Sequence, residues 1–567
     1  MKSHWRRAPW AFLVIFLFLS LAVSASIGQA ASFRPEQSTD GAVIATSKYA
    51  TEAGRRVLRD GGNAIDAAVA VGYTMAVTHP VAGNLGGGGF AIIRMADGKT
   101  YSLDFREMAP GKATRNMYLD GAGNVVPKLS LDGYLAAGVP GTVAGMSAML
   151  DKFGTKKLDY LMQPGISFAE KGFVISARNA ETFAEHKDRL SKYPSSRKYF
   201  LKPDGSTYKE GDVLVQKDLA KTLRLIAKQG PKAFYDGPIA ALIEKDMKAN
   251  GGIMTKDDLK RYKPVWREPV RGTYRGYEII SMGPPSSGGT HIIQMLNILE
   301  GYDLQALGPN SAATVNVMAE AMRFAYADRS EYMGDPDFVK VPVAVLTSKE
   351  YAERLRSRIR PGQATPSDQV RPGTSFPEGT NTTHYSVVDR WGNAVAITYT
   401  INDYYGCAAA VNGAGFLLNN EMDDFAIKPG VPNLYGLLGG DANAVEPYKR
   451  PLSSMSPTIV LKDGQVYLVL GSPGGSRIIT TVMQVVLNVV SHGMTIREAV
   501  DAPRVHLQWI PDELRIEKNG LSADTIEKLT AMGYKVQVRG NMGDVNAIMV
   551  DPKTKVFLIA SDPRNEF

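Results

Sequence analysis

The stretch NTTHYSVVDRWGNAVAITYTIN, residues 381–402, decides how the rest of the chain is read. Two runs of strand-forming residues, THYSVVD and AVAITYTI, flank Trp391-Gly392-Asn393, the composition of a hairpin turn. The first run begins abruptly. Before it, residues 361–381 carry Pro361, Pro366, Pro372 and Pro377 with Gly362, Gly373 and Gly379 among polar residues, a composition expected to stay flexible and build no packed element. Taken alone, this is an interdomain linker before a Thr-rich strand. What surrounds it changes the reading.

Downstream, SPTIVLK and QVYLVLG flank Asp463-Gly464, a second hairpin signal. GSPGGSRI, residues 471–478, sets a Gly-rich turn between the strand ending at Leu470 and a helix starting near Arg477. Upstream, FAIIRM (90–95) and TYSLDF (100–105) flank Asp97-Gly98. Residues 63–78 are rich in Ala and Val on nearly every face, as in a buried helix, with Asn63 as its N-cap. Val315, Met318, Ala319, Met322, Ala325 and Tyr326 recur at helical spacing, and Gly334 is placed to stop that helix. Helices on a predominantly antiparallel sheet are the natural outcome.

With 44% hydrophobic, 22% charged and 9% aromatic residues, the chain of 567 residues is neither disordered, collagenous nor a coiled coil. Beyond the N-terminus no apolar run approaches the roughly 20 residues that span a bilayer. Residues 1–30 read as a secretory signal, with an uncleaved anchor helix as the alternative: Lys2, Arg6 and Arg7 precede an apolar stretch from Ala11 to Val23, and small residues follow to Ala30. A periplasmic or secreted protein is expected. Three of the basic residues behind the net charge of +8 lie in that segment; the others are interleaved with Asp and Glu, so no nucleic-acid groove is indicated. Cys407, the single cysteine, cannot close an intramolecular disulfide, and it lacks the flanking signature of a thiol nucleophile. The seven His residues are scattered without metal-ligand spacing, so no metal site is expected.

NTTHYSVVD (381–389), TYTIN (398–402), LLNNEMDDF (417–425), RPLSSMSPT (450–458) and GSPGGSRI (471–478) resemble motifs of the gamma-glutamyltranspeptidase family, whose members are N-terminal nucleophile hydrolases. GGNAIDAAVAVGYTMAVTHPVAGNLGGGGF (61–90), DFREMAP (104–110), GVPGTVAGM (138–146), PPSSGGTH (284–291) and YADRSEYMGDPDFV (326–339) extend the likeness over nearly the whole chain after the signal. The resemblance implies a four-layer αββα sandwich formed by two subunits cut from one precursor. Residues 31–381 become the large subunit and 382–567 the small one, cleavage falling between Asn381 and Thr382.

The chemistry that the resemblance implies suits the residues. A Thr hydroxyl is a weak nucleophile at neutral pH, and a free alpha-amine on the same residue, with a pKa of about 8, is a base within reach. Cutting after Asn381 gives Thr382 that amine. By resemblance Thr400 supports the nucleophile, and the backbone of Gly474 and Gly475 faces a developing oxyanion. A gamma-glutamyl group carries an alpha-carboxylate and an alpha-ammonium. The family pattern gives the first to Arg106, Ser453 and Ser454 and the second to Asn402, Glu421 and Asp424. Residues 429–440 resemble a lid found in some members, with Tyr435 over the donor pocket. The implied donors are glutathione and other gamma-glutamyl compounds, the acceptors water, amino acids or dipeptides, and no cofactor is implied.

Two other functions remain open at this stage: a cephalosporin or glutaryl acylase on the same scaffold, and an unprocessed, non-catalytic binding protein. The segment after Asn402, DYYGCAAAVNGAG, departs from the family pattern and sets Cys407 where Thr or Ser is common.

Overall fold

A computed structural model describes residues 33–370 and 382–565. Residues 1–30, expected from the sequence to be a secretory signal, lie outside the described residues, as do Asn381 and most of the Pro/Gly-rich stretch. The body begins at Pro35; of the unit before it only Phe33 and Arg34 are described.

The hairpin at the centre of the sequence is the centre of the fold. Thr383–Asp389 and Ala394–Thr400 pair antiparallel, Thr383 opposite Tyr399, which sets Thr382 beside Thr400 at the open end of the hairpin. Gly41–Ala45 continues this sheet on one side; Gly88–Arg94, Thr100–Phe105 and Val265–Arg267 continue it on the other, making six strands. A second sheet of seven strands packs against it and contains the hairpin Thr458–Lys462 with Gln465–Leu470.

Period-two alternation divides the first sheet between two cores. Val43, Ala91, Ile93, Val395, Ile397 and Tyr399 join one core with the helices Lys48–Arg59, Ala64–Thr78 and Thr142–Phe153. Ala42, Ile44, Phe90, Ile92, Ala394 and Ala396 join the other, with the second sheet and the helices Gly288–Leu299, Ala312–Tyr332 and Ile478–Val490. Helix, sheet, sheet and helix stack in that order: the αββα sandwich.

Every residue of Ala64–Thr78 is buried, which is why its sequence shows no polar face. Its start is fixed by a capping box: the Asn63 side chain accepts from the Ile65 and Asp66 amides, while Asp66 accepts from the Asn63 amide. The helix expected to stop at Gly334 closes earlier, at Tyr332, with Met333 as its cap. Gly334 answers a different need, since a Cβ there would lie 2.5 Å from the Ala442 carbonyl oxygen.

Part of the segment expected to be flexible is tethered. Ser367–Gln369 forms a short 3-10 turn. The Ser367 hydroxyl donates to the Trp509 carbonyl at 2.6 Å, its amide donates to Asp512 at 2.9 Å, and the Trp509 indole N–H returns to the Ser367 carbonyl at 3.0 Å. Prolines remove donors but leave a serine between them free to anchor the chain.

Candidate active site

The strand ends meet around a small cavity of about 20 Å³, room for about one water. It is lined by Arg106, Arg329, Thr382, Thr400, Asn402, Glu421, Asp424, Tyr435, Leu437, Ser453, Ser454, Met455, Gly475 and Ile478. Ten of the residues singled out from the sequence thus fall on one cavity. Gly474 sits one residue behind it, and Asn381 lies outside the described residues.

One end of the cavity is made of hydroxyls and amides. Thr382, buried, donates to Thr400 Oγ1 at 3.5 Å, and Thr400 Oγ1 also accepts the Asn402 amide at 2.8 Å. Asn402 has a φ of 71°, a left-handed conformation that Asn tolerates better than most residues. Its side chain is engaged on both sides: Nδ2 donates to the Asn420 carbonyl at 3.0 Å, and Oδ1 accepts the Tyr435 hydroxyl. Gly474 and Gly475 lead into the 3-10 turn Gly475–Arg477 and then the helix Ile478–Val490, at the end where a helix presents amides that its own carbonyls do not take. Gly475 must lack a side chain, because a Cβ would meet the Tyr435 ring at 2.3 Å.

The other end is ionic. Arg106, the residue after strand Thr100–Phe105, is 1% exposed. Nη1 binds Glu421 and Nη2 binds Asp424, while Nε donates to the Pro451 carbonyl at 3.2 Å. The 3-10 turn Glu421–Asp424 brings both acids to the guanidinium. Burial pushes both carboxyls up in pKa and Arg106 pulls them back; burial also pulls Arg106 down, and the surrounding acids outweigh it. The groups assigned by resemblance to opposite charges of a donor therefore hold each other.

Ser453 and Ser454 stand on a loop tied to residues 285–287: the Ser453 amide donates to the Pro285 carbonyl and its carbonyl accepts the Ser287 amide, each at 2.9 Å. Tyr435, 4% exposed, lines the cavity, its hydroxyl donating to the Asn402 carbonyl at 2.8 Å. Asn433 and Leu434 fasten the same segment to Asp424 and Asp423. Of residues 429–440, Tyr435 and Leu437 line the cavity.

Two charged residues escaped the sequence reading. Arg329 lies in the last turn of Ala312–Tyr332, and Glu107 follows Arg106 with both carboxylate oxygens buried and without a hydrogen-bond partner among the described residues. Arg329 had a legible signal: it continues the series Val315, Met322 at seven-residue spacing, a cation on an apolar stripe. Glu107 had none, since one carboxylate beside an arginine reads as a surface pair. Cys407 is fully buried and burial pushes its thiol up to about 12, as expected of a packed residue. Among the described residues no histidine lines the cavity.

Comparison with known proteins adds an independent line. The sequence profile of the family described as Gamma-glutamyltranspeptidase matches residues 50–566. The chain is 54% identical over 535 residues to the glutathione hydrolase proenzyme of Escherichia coli (strain K12), the alignment covering 94% of this chain and 92% of that one. The crystal structure of a cephalosporin acylase from Bacillus halodurans matches with a TM-score of 0.83 at 26% identity, over 96% of this chain and 98% of that one. A chain of Helicobacter pylori gamma-glutamyltranspeptidase matches at 59% identity with a TM-score of 0.59, over 60% of this chain and 97% of its own length.

Proposed function

The chain belongs to the gamma-glutamyltranspeptidase family, and from that premise we propose that it is a self-processing gamma-glutamyltransferase and glutathione hydrolase. One observation carries the reading: a single small cavity joins a threonine pair at one end to carboxylates and guanidinium groups at the other. A gamma-glutamyl donor needs that combination, because its reacting amide and its zwitterionic end are held a few bonds apart.

Processing comes first. The Thr382 hydroxyl attacks the Asn381 carbonyl, and water resolves the resulting ester, leaving residues 31–381 and 382–567 as a heterodimer. The name proenzyme on the Escherichia coli relative supports this order, and so does the matched Helicobacter pylori chain, which covers a share of this chain close to that of residues 31–381. With no imidazole at the cavity, the freed alpha-amine of Thr382 is the base. It takes the hydroxyl proton as Oγ1 attacks the gamma-carbonyl, and the oxyanion turns to the amides of Gly474 and Gly475. Collapse returns the proton to the leaving amine and leaves a gamma-glutamyl ester on Thr382. Water, an amino acid or a dipeptide then takes the acyl group.

Thr400 holds Oγ1 of Thr382 in place. Asp424, Glu421 and Asn402 receive the donor ammonium, Arg106 with Ser453 and Ser454 the carboxylate, and Tyr435 shields the ester from bulk water. The signal at residues 1–30 assigns the mature protein to the periplasm or the medium; no helix among the described residues is long and apolar enough to cross a membrane.

The test is a substrate pair. Purified protein should release glutamate from glutathione, and should form a gamma-glutamyl dipeptide when a dipeptide is added. Glutaryl amides, which keep the carboxylate and lack the amine, should turn over at least 10-fold more slowly, because a buried acid pair loses its cation. Faster turnover of glutaryl amides would return the chain to the acylase class.

A further inference from the structure

Most deeply buried arginines of this protein are matched by a carboxylate. Arg323 pairs with Glu320 and Asp512, Arg450 with Asp104 and Arg504 with Asp562, as Arg106 does with Glu421 and Asp424. Arg329 departs from this pattern. It is 4% exposed, yet among the described residues it makes no ion pair. Its Nε donates to Ser287 Oγ at 2.9 Å and its Nη2 to Ser454 Oγ at 3.2 Å. Hydroxyls satisfy donors but carry no charge to offset a buried cation. Burial pushes the Arg329 pKa down to about 10, so the group stays positive at neutral pH; Tyr326 and Asp424 act on it through space in the opposite direction, and Arg106 adds to the depression.

Arg329 also opens onto the donor cavity, on the side of Ser454. Arg106 is already held by Glu421 and Asp424, with Glu107 Oε2 3.6 Å from its Nη1, so a carboxylate arriving at Arg106 alone would have to displace Glu421 or Asp424. We propose that Arg329 is a specificity-determining residue of this cavity: its unneutralised charge selects donors that carry an alpha-carboxylate. The proposal rests on the gamma-glutamyl reading and deepens it. Binding then becomes an exchange of ion pairs. The donor ammonium takes Glu421 and Asp424 from Arg106, and the donor carboxylate is shared by the released Arg106 and by Arg329. Removing Arg329 takes away the one guanidinium at the cavity that is not already held by carboxylates, and leaves the site more negative toward an incoming carboxylate.

The experiment compares two donors of equal length, gamma-glutamyl-p-nitroanilide and 4-aminobutyryl-p-nitroanilide, which keeps the amine and lacks the carboxylate. For Arg329→Met, KM on the first should rise about 10- to 100-fold with kcat within about 3-fold, while KM on the second stays within about 2-fold, because one charged hydrogen-bonding group is lost. Arg329→Lys should recover most of the KM. Folding is read separately. Without ligand, Arg329→Met should melt at or above the wild-type temperature, having shed a buried uncompensated charge, and added glutamate should raise the melting temperature of the wild type but not of this variant. Equal losses on both donors would show that Arg329 merely holds Ser454 and Ser287, and would overturn the proposal. So would unchanged KM on gamma-glutamyl-p-nitroanilide, or equal stabilisation of both proteins by glutamate. A wild type inactive on gamma-glutamyl-p-nitroanilide would instead overturn the reading on which the proposal stands.

Discussion

The two ends of the cavity are built on opposite plans. At the Thr382 end the hydrogen bonds described above join neutral groups: Thr382 to Thr400, Asn402 to Thr400, Tyr435 to Asn402. At the Arg106 end, charges hold charges. A neutral, backbone-rich end has fixed dipoles and little to rearrange, which suits the making and breaking of bonds at one oxygen. On the proposed function, an end of mutually paired ions would yield its pairs to a zwitterionic donor that brings both signs. That reading separates bond chemistry from recognition within one small space, and mutations at the two ends should then have different kinetic signatures.

The largest expected effect is at the ionic end. Asp424→Ala strips Arg106 of a partner and the donor ammonium of its acceptor, at a cost of about 3–5 kcal/mol, so KM on gamma-glutamyl donors should rise by more than about 100-fold. Glutaryl donors have no amine and should lose much less. Steady-state kinetics on both donors checks the assignment, and equal losses would erase the distinction between the ends.

A smaller effect of the other kind is expected from Thr400→Val. The substitution keeps the shape, removes the partner of Thr382 Oγ1 and leaves the Asn402 amide without an acceptor, at a cost of about 1–3 kcal/mol. It should appear as a fall in kcat of about 10- to 100-fold with KM within about 2-fold. A rise in KM as large as the fall in kcat would mean that the neutral end also recognises the donor.

The smallest effect lies behind the neutral end, in Asp544. Its amide donates to Ser472 Oγ at 3.0 Å and its carboxyl accepts from Thr46, which in turn contacts Thr383. Burial pushes its pKa up to about 8, with Asp562 adding to the rise. A carboxyl raised in the folded state stabilises it while protonated: the contribution is complete below the unfolded value of about 4 and is lost as pH rises through about 8. Asp544→Asn, always neutral, should match the wild type near pH 4 and exceed it by roughly a few degrees in Tm above pH 8. Melting curves across that range decide it; parallel curves would mean that Asp544 stays ionised and that the neutral end has a charge behind it.

How much of this was legible in the sequence follows from which signals are local. The central hairpin, the buried helix Ala64–Thr78 and the Gly-rich turn before Ile478 are written in neighbouring residues, and each formed where expected. The pairing of Thr382 with Thr400 followed from hairpin register. The mutual pairing of Arg106 with Glu421 and Asp424 did not, since 315 residues separate Arg106 from Glu421 and only the closed sandwich brings them together. Arg329 was hidden for a related reason: a charge on an apolar stripe announces burial, but its partner, or the lack of one, is a property of the assembled core. The tether at Ser367 was masked by the composition around it.

The central claim is that one oxygen, Oγ1 of Thr382, both cuts the chain and carries the acyl group. Intact-mass analysis and N-terminal sequencing of the purified wild type and of Thr382→Ala test it most directly. The account predicts two wild-type fragments, the smaller beginning at Thr382, and for Thr382→Ala a single folded, uncleaved chain without transferase activity, since the change removes few buried atoms. A smaller fragment beginning elsewhere, or a Thr382→Ala chain that still splits between 381 and 382, would contradict it.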